Sequence, residues 1–242
     1  MNKFRFLGII ALAAIIGFST TSCGDNGGGG GGGWLGMELT FTNAQVTVWD
    51  DYNDVITSFD GNRLVVLAGY WEHGNGSEWV SVGEDGAITD GRFTFSIGEP
   101  LFASLNYANV HNWYVELNDM FSALSIAPTG AQFASLWFST PYPDEEVLLR
   151  TRGTETLREL LWYIWADHDV TITGTSGSDS WEEGGVTYTM IVDSLNLNLQ
   201  RGWNAVLMRE QSGATSTRVT ISHSHPNLPW VLFPEYDYYN ND

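Results

Sequence analysis

Leu195-Asn196-Leu197-Asn198-Leu199-Gln200-Arg201-Gly202-Trp203-Asn204-Ala205-Val206-Leu207-Met208 is the stretch on which the reading of this chain turns. Leu195, Leu197 and Leu199 alternate with Asn196 and Asn198, the period of a strand with one apolar face. Gln200-Arg201-Gly202 interrupts the run, and a second apolar run follows from Trp203 to Met208. Read locally, this predicts a β-hairpin, with Gly202 supplying the positive φ that its turn requires.

Similar runs recur on both sides, at 39–42, 44–49, 63–71, 78–82, 92–97, 132–138, 170–173, 186–192, 218–222 and 230–233. Phe93, Phe95 and Ile97 keep strict alternation and follow Asp90-Gly91, a turn dipeptide. Many short strands at close spacing predict an all-β chain, an antiparallel β-sandwich or partly open barrel with at most one or two short helices. One such helix is expected around 118–124, before Pro128. The segment 156–165 conflicts with itself. Leu157, Leu160, Leu161 and Ile164 fall at helical spacing, but Trp162-Tyr163-Ile164-Trp165 is aromatic and β-branched. We read a strand over 160–165, turning at Asp167-His168-Asp169 into 170–173 as a hairpin.

The N-terminus has a different grammar. Lys3 and Arg5 precede an uncharged apolar run from Phe6 to Phe18, then Ser19-Thr20-Thr21-Ser22 and Cys23, the only cysteine in 242 residues. This is the layout of a secretory signal. The apolar run falls well short of the ~20 residues of a spanning helix. It resembles the leader of bacterial lipoproteins cleaved by the lipoprotein signal peptidase, with a loose, spirochaete-like lipobox in which Thr20 stands where leucine is commonest. The resemblance implies a lipidated Cys23, and several acyl chains are what stable anchoring needs. Seven consecutive glycines, Gly27 to Gly33, follow. As a tether, the ten residues 24–33 would span roughly 17 Å r.m.s..

The expected organisation is therefore a signal peptide over 1–22, a lipidated cysteine and Gly-rich tether over 23–37, a β-rich domain over 38–236 and an acidic, polar tail over 237–242. If the domain has two lobes, their boundary is expected near 104–128. The resemblance places the chain in the bacterial cell envelope, at the outer membrane or cell surface rather than the cytoplasmic membrane. The block 169–208 also resembles segments of uncharacterised envelope lipoproteins, and 90–97 loosely resembles transthyretin-like or carboxypeptidase-regulatory-like modules. Neither implies a catalytic residue.

Composition narrows the function classes. The formal net charge is −19, and loss of Lys3 and Arg5 with the leader would leave a chain two units more negative that contains no lysine. Nucleic-acid binding, which needs a basic face, is excluded as a class. With Cys23 acylated, neither a disulfide nor a thiolate metal site remains.

Motifs for chemistry are sparse. Asp50-Asp51-Tyr52-Asn53-Asp54 breaks the EF-hand pattern at Val55, so acidic turns are the simpler reading than calcium. His223-Ser224-His225 has a spacing seen in metal sites but precedes Pro226, where a strand should end. Asp167-His168-Asp169 has no nucleophile elbow to complete a triad. No catalytic residue, metal or cofactor is assigned. Glu182-Glu183 and Asp144-Glu145-Glu146 are carboxylates a glycan hydrolase could use only at a defined separation.

Eleven tryptophans remain, and most are read as core. Trp181, placed in a loop over 176–185, and Trp71 and Trp79, flanking the polar loop 73–77, are the candidates for ligand binding. The expectation is a non-enzymatic envelope module binding a protein or glycan. An envelope glycan hydrolase is the second class, and a structural or assembly component the third.

Overall fold

The computed structural model describes residues 33–50, 55–59, 61, 63–72, 78–81, 86–100, 121, 123–139, 147–154 and 156–233. The leader, Cys23, the carboxylates Asp144-Glu145-Glu146 and most of the expected 118–124 helix lie outside them; Leu124 opens a strand.

Among the described residues the chain is all-β, as its alternating pattern predicts, with no helix. The strands are β1 (Trp34–Gly36), β2 (Leu39–Asp50), β3 (Val55–Ser58), β4 (Arg63–Glu72), β5 (Glu78–Ser81), β6 (Gly86–Thr89), β7 (Arg92–Ile97), β8 (Leu124–Ala127) and β9 (Phe133–Ser139). They continue as β10 (Val147–Thr154), β11 (Leu157–Ala166), β12 (Val170–Gly174), β13 (Gly177–Glu183), β14 (Val186–Val192), β15 (Leu195–Leu199), β16 (Gly202–Ser212), β17 (Ser216–His223) and β18 (Trp230–Phe233). Fifteen belong to one large sheet, ordered β13-β14-β17-β16-β11-β9-β10-β18-β2-β7-β6-β4-β5 with β1 on β16 and β3 on β2. The sheet is mixed: β14–β17 and β18–β2 are parallel. It curls, because β4 also pairs with β9, but it does not close as a barrel. β15, β12 and β8 form a separate small sheet.

The strand expectations around Leu195 and Leu160 hold, but both hairpins built on them are corrected. β15 pairs with β12, and β16 with β11 and β17. Neither Gln200-Arg201 nor Asp167-His168-Asp169 joins two neighbouring strands. Each carries its chain from one sheet to the other. The two crossings lie side by side, since Ala166 pairs with Gly202 before them and Val170 with Leu199 after them. Residues 167–169 thus oppose 200–201, an extra residue on one side that bends the ribbon as a bulge does. β8 and β9 make a third crossing beside them, since Ala127 pairs with Thr171 and Phe133 with Ala166.

Side-chain to backbone hydrogen bonds hold this corner. Asn204 is fully buried; its Oδ1 accepts from the Gln200 N–H at 3.0 Å, and its Nδ2 donates to the carbonyls of Gln200 and Gly202, both at 2.8 Å. Asp167 Oδ1 accepts from Gln132 N at 2.7 Å and Asp169 Oδ1 from Arg201 N at 2.8 Å. Gly202 has φ +108°, as its place in the sequence suggests. The second reason for glycine is steric, because a Cβ there would stand 2.5 Å from the Gly36 carbonyl oxygen.

The crossings create two cores with the β11–β16 ribbon between them. On one face Leu161, Tyr163, Trp165, Trp203, Ala205 and Leu207 join an aromatic-rich core with residues of β2, β6, β7, β9, β10 and β18. There Phe41 contacts the rings of Phe93, Phe95, Phe138, Tyr163 and Trp230 at centroid separations of 4.9 to 6.3 Å. On the other face Ile164, Ala166, Val206 and Met208 meet Val170, Ile172, Leu195, Leu197 and Leu199 beneath the small sheet. The conflict in 156–165 now has a cause. A strand buried on both faces carries no polar alternation, so its apolar residues fit a helical template by accident.

Candidate functional site

Trp181 is in a strand, which corrects its assignment to a loop. β13 and β14 pair from Gly177↔Val192 to Glu183↔Val186 around a two-residue turn, Gly184-Gly185, both at positive φ (61° and 80°). This is the primed hairpin geometry that two such residues favour. β14 pairs with β17 only over Thr189–Val192. Among the described residues the outer pairs, from Trp181↔Tyr188 to Glu183↔Val186, therefore have no strand partner beyond each other and form an arm past the end of the sheet. β13 is also the sheet's terminal strand, and six of its seven residues are exposed.

The arm's two faces differ. Directly paired residues share a face, and so do residues two apart. Met190 and Val192 lie in the core beneath the small sheet, so Tyr188, Val186, Trp181, Asp179 and Glu183 continue that face outward. Trp181 is 42% exposed, and its ring stacks on Tyr188 at 5.8 Å between centroids and 20° between planes. Val186 is likewise exposed at 41%. The opposite face holds Ser178, Ser180, Glu182, Thr187 and Thr189, with the Ser180 and Thr189 hydroxyls 3.1 Å apart. The arm carries no Lys, Arg or His. The Ser180 N–H donates to Asp179 Oδ1 at 2.9 Å, so the middle of this edge strand is already occupied.

Trp71 and Trp79 are register partners on the neighbouring strands β4 and β5, far along the sheet from Trp181. The structure thus does not gather the three tryptophans into one site, and the loop 73–77 lies outside the described residues. Tyr188 escaped the sequence reading. The signal was present: a Gly-Gly turn at 184–185, counted outward, places 181 opposite 188.

His225 belongs to another polar cluster, whereas His223 lies against the Gly33 and Asn198 backbones. Arg150, 5% exposed, donates from Nη1 to the Tyr163 hydroxyl and His225 Nε2, both at 2.9 Å, and from Nε to the Leu228 carbonyl at 3.0 Å. Its Nη2 donates to Asn227 Oδ1 at 3.2 Å, and its guanidinium lies 5.8 Å from the Trp230 ring centroid. A guanidinium only donates, so in this contact His225 Nε2 is the acceptor. Burial lowers the pKa of His223, against the opposing pull of the Gly33 and Asn198 backbones. The cluster ties the β17–β18 connection to β10 and β11. Among the described residues no group of three or more His, Cys, Asp or Glu is arranged to hold a metal ion.

A third polar feature is the row Arg152–Glu159–Arg209 across β10, β11 and β16. Glu159 accepts from Arg152 through one carboxylate oxygen and from Arg209 through the other, the Arg209 Nε contact being 2.9 Å. Burial would raise its pKa, but hydrogen bonds and charge from Arg209 and Arg152 outweigh this and lower it. Glu210 is raised by burial, with Arg158 opposing. Saturated on both oxygens, Glu159 has no lone pair turned toward a substrate and reads as structural.

No protein-family model matches the chain, and no curated protein or solved structure matches it.

Proposed function

We propose that this is a lipid-anchored envelope protein, held through Cys23, whose β13–β14 arm is a non-catalytic recognition element for a neutral glycan. The observation that carries the reading is the Trp181–Tyr188 stack, displayed on an arm that pairs with no other described strand at that level. An exposed tryptophan stacked on a half-buried tyrosine suits the flat apolar face of a sugar ring, while nearby carboxylates and hydroxyls accept and donate to sugar hydroxyls. With Asp179, Glu182 and Glu183 present and no cation on the arm, anionic polymers are repelled.

Two competing readings fare less well. A protein partner adding a strand to β13 meets an edge whose Ser180 N–H is already bonded to Asp179. Hydrolysis needs two carboxyl groups about 5–9.5 Å apart. Asp179 and Glu183 share the aromatic face, but four strand positions separate their backbones by about 13 Å.

The test is a screen of neutral and anionic envelope glycans with the acylated full-length chain and with Trp181→Ala. Binding of a neutral glycan, weakened about tenfold or more by the substitution, supports the proposal. Equal binding by a folded Trp181→Ala variant, or glycan turnover abolished by one carboxylate substitution, overturns it.

A further inference from the structure

Four large apolar side chains are prominently exposed among the described residues, and they lie at opposite ends of the fold. Trp181 and Val186 are on the arm. Trp34 and Met37, at 43% and 44%, are on and just after β1. β1 fills the lane beside β16 that β17 leaves after His223: Trp34 pairs with Asn204, and the Ala205 N–H donates to the Gly33 carbonyl at 2.6 Å. The Trp34 indole N–H donates to the Arg201 carbonyl at 3.0 Å, which holds the ring against the corner and satisfies its polar atom. Met37 Sδ lies 3.3 Å from where a Gly202 Cβ would stand, so Trp34 and Met37 flank the same sheet-to-sheet corner.

We infer that this corner, with Trp34 and Met37 foremost, rests on the surface of the bilayer that holds the anchor, and that the arm points away from it. The inference rests on lipidation of Cys23. Only residues 24–33 separate that cysteine from Trp34, a length whose r.m.s. span is roughly 17 Å. The corner therefore spends its time close to the membrane whatever the rest of the chain does. Tryptophan with an apolar face outward and a satisfied N–H suits the interfacial region. Arg201 is exposed beside it, but Asp167, Asp169 and Glu38 share this end and the chain is acidic overall, so the surface is zwitterionic rather than anionic.

The opposite end follows from register. β16 runs from the corner at Gly202 to Ser212, about 35 Å of strand, and β14 joins β17 at Ser216 beyond that far end. The arm then continues outward. The lipid anchor and the proposed recognition element thus sit at opposite ends of one strand direction, so any ligand is taken from the layer facing away from the membrane.

Acylation consumes Cys23, so a single engineered thiol can report depth. The acylated full chain carrying Met37→Cys or Val186→Cys, each spin-labelled, is reconstituted in phosphatidylcholine vesicles and its exposure to oxygen and to a water-soluble nickel complex is compared. The label at 37 should be shielded from nickel several-fold more than the label at 186, which should match a label free in water. Brominated lipid should quench the tryptophan emission of the natural chain more than that of Trp34→Phe. If the chain floats with vesicles but both labels are equally aqueous, the docked corner is wrong and the anchor stands. Failure to float, or flotation unchanged in Cys23→Ser, removes the anchor reading and this inference with it.

Discussion

The β11–β16 ribbon and the β13–β14 arm are built by the same rules and meet opposite fates. Both are antiparallel, with ten and seven paired positions. The first is buried on both faces, one against the aromatic core and one beneath the small sheet. The second is exposed along nearly all of its terminal strand. Residues 160–166 offer no polar group but the Tyr163 hydroxyl and the indole N–H groups of Trp162 and Trp165, whereas Gly177–Glu183 offers one large apolar side chain, Trp181. Pairing alone does not decide what a ribbon is for. Side-chain supply decides whether it organises cores or presents a surface.

The hardest test of that contrast is Trp165→Ala. Trp165 is fully buried and meets Trp203 edge-on at 5.6 Å between centroids. Its truncation should cost about 3–5 kcal/mol in urea unfolding. A loss below about 1 kcal/mol would mean that the ribbon is not the shared wall between two cores.

Next in size is the corner. In Asn204→Leu, shape is roughly kept, but the Gln200 N–H and the Gln200 and Gly202 carbonyls lose their buried partner. Each orphaned group costs about 1–3 kcal/mol, and partial relaxation should leave a total of about 2–4 kcal/mol. If the crossing were instead an ordinary hairpin turn, water would replace the amide and the loss would be slight.

That corner also marks the boundary of what the sequence reveals. Alternation identifies β7, β12 and β15 with little error because each shows one apolar face, and Gly202 reads as a positive-φ position. Pairing partners were not legible. A two-residue link between apolar runs reads as a hairpin unless one knows that Asn204 turns inward and that 167–169 cross beside it. The first is a side-chain choice that no pattern announces, and the second joins residues over thirty positions apart. Trp181 was legible as a candidate and its partner Tyr188 was missed, although the Gly-Gly turn determines the pairing.

Electrostatics sharpens the comparison at the far end of the buried ribbon. Glu159 has a folded-state pKa below its unfolded one. Its contribution to stability is present above the ordinary carboxylate range and is lost as pH falls through the lowered folded value. Glu210, raised by burial, acts in the opposite sense: its contribution is present at low pH and fades as pH rises through its folded value. Glu159→Gln should cost about 1–3 kcal/mol at neutral pH. It should also flatten the fall of Tm below about pH 4. An unchanged acid limb in the variant would show that Arg152 and Arg209, both half-exposed, do not hold that carboxylate in solution.

The smallest expected effect on stability is the most informative for function. Trp181 touches Tyr188 and little else that the fold needs, and surface changes of this kind usually fall within about 0.5 kcal/mol. Trp181→Ala should therefore unfold like the natural chain while losing the glycan binding proposed for the arm. A ring kept for packing would show the reverse, lowering Tm and leaving binding intact, because the stack would then be holding the Gly184-Gly185 hairpin in shape. Tyr188→Ala separates the two. It keeps the exposed tryptophan but removes the ring that orients it, so a recognition platform predicts weakened binding at nearly constant Tm in both variants. Only that paired outcome sets the arm apart from the buried ribbon in role as well as in exposure.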